Sequence, residues 1–67
     1  MISVAQQIME ARLSAGLTRT QLGKKAGLPR QTILRIEQGE VSPTLQTLGK
    51  IAAALGTVLV VSRTDKQ

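Results

Sequence analysis

Four glycines constrain this chain more than any single motif, because Gly16, Gly27, Gly39 and Gly56 each close a stretch in which apolar residues recur at helical spacing. Glycine enters the left-handed conformation that ends a helix without steric cost. The pieces between them are short, and short helices are marginal in water unless each buries its apolar stripe against the others. A small helical bundle with tight corners follows.

Ser3 with Gln6 reads as a capping box, followed by Val4, Ile8, Ala11 and Ala15, so the first helix is predicted over 4–14. Thr18 with Gln21 repeats the device, and Leu22, Gly23 and Ala26 form the inner face of a second helix over 19–26. A third is predicted over 30–37, between Pro29, whose fixed φ suits a helix start, and Gly39. Thr44 or Ser42 caps a fourth over 45–55, with Leu45, Leu48, Ile51, Ala52 and Leu55 as its stripe. Val58, Leu59, Val60 and Val61 break the pattern: four consecutive apolar residues, three of them β-branched, predict a short strand. No other segment reads as a strand, so its partner would be the same strand of a second copy. The other reading is an irregular tail packed on the helices. The fold class is therefore all-α with a C-terminal strand: residues 1–56 form the helical domain and 57–67 a dimerisation element and tail.

At 67 residues the apolar burial of one copy nearly cancels a conformational entropy cost of about 1.5 kcal/mol per residue. With no Cys and no His, neither a disulfide nor the usual zinc ligands can add stability, so no metal or cofactor is expected and oligomerisation is. The N-terminus MISVAQQIME lacks a basic n-region, and no apolar run is long enough to span a bilayer. A cytoplasmic protein is expected, nucleoid-associated when bound. An enzyme is disfavoured, because four acids with no His, Cys or glycine-rich phosphate loop assemble no nucleophile, base and orienter.

The formal charge of +5 is localised. Arg19, Lys24, Lys25, Arg30 and Arg35 fall between Thr18 and Ile36 with no acid among them, while Arg12, Lys50, Arg63 and Lys66 are matched by Glu10, Glu37, Glu40 and Asp65. Such a segment is drawn to phosphate. Phe, Tyr and Trp are all absent, which disfavours single-stranded nucleic acid, usually held by stacking on aromatic rings. Placed at 100° per residue, the third helix has Ile33 and Ile36 on one side and Arg30, Gln31, Leu34 and Arg35 on the other. Arginine can bond guanine at O6 and N7, glutamine can bond adenine, and an apolar side chain can touch the thymine methyl. Thr18 and Arg19 open the second helix, where free amides and the positive dipole end favour a phosphate oxygen. Thr18 would also serve as a cap, and Lys24 and Lys25 read as a solvated face.

Leu22, Gly23, Gly27, Ile33, Ile36, Glu37 and Gly39, followed by Pro43 and the IAAALG run, resemble the phage-repressor and Cro-like (XRE) helix-turn-helix family over roughly residues 4–56. The resemblance implies a four-to-five-helix bundle whose third helix enters the major groove, with Arg30, Gln31, Leu34 and Arg35 at base-reading positions. It further implies that Thr32 touches backbone or base edge, that Thr18 and Arg19 clamp phosphate, and that Arg12 and Glu37 form a structural ion pair. Three departures stand out. Pro29 replaces the common Ser or Thr cap; Glu40 occupies a loop that is basic in many relatives, leaving Gln38, Ser42 and Thr44 as neutral phosphate donors; and a strand replaces the fifth helix, as in some antitoxin regulators. The leading expectation is a homodimeric repressor or autoregulator on palindromic double-stranded DNA, with no membrane and no small-molecule ligand. The alternative is an antitoxin or interaction module that binds a toxin partner, with DNA binding secondary.

Overall fold

The computed structural model describes residues 3–59, and among these it holds four helices: α1 (Val4–Ser14), α2 (Arg19–Ala26), α3 (Arg30–Glu37) and α4 (Leu45–Leu55). All four have the predicted bounds because the ends carry the local chemistry that stops them. Thr18 Oγ1 accepts from the Gln21 amide at 3.1 Å while the Gln21 side chain accepts from the Thr18 amide at 2.8 Å, completing the capping box of α2. Ser3 makes only half of one. Its Oγ accepts from the Gln6 amide, but the Gln6 side chain turns forward to Glu10 at 3.1 Å, one helical turn on. Of the two candidate caps for α4, Thr44 takes the role, accepting from the Thr47 amide.

The core is wholly aliphatic: Ile8, Leu22, Ala26, Ile33, Ile36, Leu48 and Ile51 are buried, with Val4, Leu28, Ala54, Leu55 and Leu59 packed around them. Fully burying one such large side chain contributes about 1.5–3 kcal/mol, and Ile33 and Ile36 fix the rotation of α3. The helix α2 packs on both α3 and α4, and α1 packs on the same pair.

The structure corrects three sequence readings. Ala15 is exposed, and the inner face of α1 runs instead through Ile8 and the buried Arg12. Leu45 does not belong to the α4 stripe: in the first turn of the helix it is 76% exposed. No strand occurs among the described residues; Val58 is exposed in irregular backbone and Leu59 folds onto the core. A strand needs a neighbour to satisfy its backbone, and the described residues supply none. Val60 and Val61, the rest of that predicted strand, lie outside the described residues. No helix among the described residues is long and apolar enough to cross a membrane.

Candidate nucleic-acid interface

The corner between α2 and α3 begins at Gly27, whose φ of +72° and ψ of 33° reverse the chain direction. The Leu28 amide then donates back to the Gly23 carbonyl at 2.8 Å, drawing the turn against α2. Gly23 makes this approach possible, since a Cβ built there would lie 2.5 Å from the Leu28 carbonyl oxygen. Pro29 stands at the N-cap of α3 and offers no side-chain bond, so its carbonyl alone accepts the first helical amides, from Thr32 at 3.0 Å and Ile33 at 3.3 Å.

With Ile33 and Ile36 buried, α3 turns Arg30, Gln31 and Arg35 to solvent, and Leu34 and Thr32 sit half-buried at the margins. Every hydrogen-bonding group of the predicted reading face is thus accessible, while Leu34 offers only part of its surface. Lys24 and Lys25 are exposed in the last turn of α2. Cations there suit the negative end of the helix dipole, which gives them a local role without a ligand.

The opposite side of α3 is tied down by charge. The Arg12 Nε donates to Glu37 Oε2 at 2.7 Å, its Nη2 to Glu37 Oε1 at 3.1 Å, and its Nη1 to the Leu17 carbonyl at 2.9 Å. All three guanidinium nitrogens are therefore engaged, and no buried side-chain nitrogen or oxygen among the described residues lacks a partner. Sequence reasoning anticipated this pair but missed its third member: Arg19 Nε donates to Glu37 Oε1 at 2.9 Å. Helical spacing carries no signal for that contact, which depends on how α2 crosses the end of α3.

Arg12, Leu13, Leu17, Thr18, Arg19, Thr20 and Arg30 line one open cleft of about 360 Å³. The start of α2 and the start of α3 thus face the same space, with Arg19 and Arg30 both lining it. The other candidate phosphate donors lie beyond the far end of α3. Gln38 caps that helix through its backbone, Ser42 is exposed in the loop, and the Thr44 hydroxyl is committed to the cap of α4.

This geometry defines a helix-turn-helix unit whose second helix presents a basic polar face. The sequence model of the helix-turn-helix family matches residues 8–59, and the chain belongs to the XRE-type branch of that family, non-enzymatic transcriptional regulators that bind double-stranded DNA. An HTH-type transcriptional regulator of Methanothermobacter thermautotrophicus is 45% identical over 49 residues, which cover 73% of this chain and 71% of that protein. The immunity repressor protein of Bacillus phage phi105 is 40% identical over 82% of this chain, which spans only 38% of the repressor. Among solved structures, the restriction-modification controller protein C.Esp1396I superposes with a TM-score of 0.79 at 31% identity, covering 82% of this chain and 71% of that one.

Proposed function

We infer that the protein is a sequence-specific repressor that binds a palindromic operator as a homodimer. The observation that carries this reading is the cleft in which Thr18 and Arg19, at the dipole-positive start of α2, adjoin Arg30, the first residue of α3. A phosphate held at the first site sets the register in which Arg30, Gln31, Leu34 and Arg35 meet base edges. Thr32 on α3, with Gln38, Ser42 and Thr44 past its far end, serve as neutral contacts to the DNA backbone. The names of two similar proteins, an immunity repressor and a controller protein, support regulation by occupying DNA.

Dimerisation is supported by the size of the core and by the apolar, β-branched composition of the run at 58–61. Two copies would place their α3 helices one DNA turn, roughly 34 Å, apart. The test is selection of duplexes from a random pool, with sedimentation of the complex alongside. A palindromic consensus bound by two chains supports the reading, whereas recovery of unenriched sequence would remove base reading by α3, and a one-chain complex would remove the dimer.

A further inference from the structure

We propose that Glu37 is the positioning residue of the phosphate clamp: it holds Arg19 by Nε alone and so presets the two Nη groups of that arginine as a fork for a DNA phosphate. The inference rests on the reading that Arg19 meets DNA, and it specifies how.

The two arginines on Glu37 are used unequally. Arg12 spends every nitrogen inside the protein and its side chain is 8% exposed. Arg19 spends one nitrogen, has no other partner among the described residues, and keeps its side chain 34% exposed at the rim of the cleft. Glu37, at 1% side-chain exposure, accepts from both. Two guanidinium charges against one carboxylate leave the cluster with a net positive charge, and the nitrogens that make no bond within the described residues both belong to Arg19. A planar guanidinium presents five N–H donors, so engaging Nε fixes the plane in which the Nη pair lies. An exposed arginine otherwise loses considerable rotamer freedom on binding, and holding it beforehand reduces that loss. Glu37 closes α3 while Arg19 opens α2, so the same carboxylate fixes the clamp relative to the reading helix.

A lysine at position 19 keeps the charge but cannot be held by Nε and offer a fork at once. The full chain is titrated with a fluorescent duplex of unrelated sequence over a series of KCl concentrations. Arg19→Ala should bind about ten-fold weaker and lower the salt slope by about one. Arg19→Lys should keep the parent slope yet remain roughly five-fold weaker than the parent, with an unchanged unfolding midpoint. Glu37→Gln should weaken binding in the parent but add no further loss in the Arg19→Lys background. If that variant does not fold, the Arg19→Lys comparison decides alone. Parent-like affinity for Arg19→Lys would overturn positioning by Glu37 while leaving the clamp in place. Parent-like affinity for Arg19→Ala would instead remove the clamp itself.

Discussion

Arg12 and Glu37, 25 residues apart, meet in a two-point fork, Nε to Oε2 at 2.7 Å and Nη2 to Oε1 at 3.1 Å, that joins the last turn of α1 to the last residue of α3. Both groups are nearly dry, at 8% and 1% side-chain exposure. Breaking such a pair from one side strands a buried charge, at a cost of about 3–5 kcal/mol. Arg19 still faces Glu37 after Arg12→Ala, so we expect a loss near the lower end, about 3 kcal/mol, from the urea midpoint at unchanged m-value. Arg12→Lys should recover little of it, since one ammonium cannot reach both carboxylate oxygens and the Leu17 carbonyl in the same geometry. A loss under about 1 kcal/mol for Arg12→Ala is what an exposed pair gives, and would show that the fork does not hold α3.

Two glycines should respond to alanine with opposite signs. Gly27 has φ +72° and nothing within 4 Å of a built Cβ, so only the conformational cost of a left-handed residue is felt on substitution, about 1–2 kcal/mol. Gly49 lies inside α4 with similarly open space and no positive φ. There Gly49→Ala should stabilise by about 0.5–1 kcal/mol, by restricting the unfolded chain and favouring the helix. Thermal unfolding of both variants checks the pair, and a shared sign would mean that one of these local readings is wrong.

Thr18 allows capping to be separated from DNA contact. Its hydroxyl accepts from the Gln21 amide, and removing such a cap costs about 1 kcal/mol. Thr18→Ser keeps the oxygen and should match the parent in both stability and affinity for unrelated duplex. Thr18→Ala should lose stability and affinity together, because an α2 without its cap presents the proposed clamp less firmly. If Thr18→Ala binds as the parent does while unfolding earlier, Thr18 is a cap only.

Much of this was legible in the sequence, because caps and glycines act within a few residues of themselves. Thr18, Gln21, Gly27 and Gly56 fix helix ends by contacts spanning three to five positions, and a linear reading captures these. The exposed Leu45 and the buried Arg12 were harder, since burial depends on which helix crosses where. Spacing placed Arg12 beside the core stripe and the family resemblance paired it with Glu37, but neither pointed to Arg19 as a second partner. The run at 58–61 shows the limit most plainly. Its β-branched composition favours a strand, yet a strand is a relation between two segments, and Leu59 instead packs on the helical core.

The proposed reading face makes the sharpest demand, because under that proposal α3 has to distinguish sequences and not merely attract phosphate. Arg30, Gln31 and Arg35 are exposed with no bonding partner among the described residues, so alanine at any of them should leave the unfolding midpoint nearly unchanged. Against the selected operator, Arg30→Ala and Gln31→Ala should each cost about 1–3 kcal/mol, while affinity for unrelated duplex falls far less. Leu34→Ala should differ, losing operator affinity and some stability together, since that side chain is half-buried. Lys24→Ala and Lys25→Ala should shift both duplexes slightly and equally, through long-range attraction alone. Anisotropy titrations with the two duplexes, run in the same buffer, give the ratio that matters. Equal losses on operator and unrelated DNA from Arg30→Ala and Gln31→Ala would turn these residues into phosphate contacts and leave sequence recognition to another part of the chain.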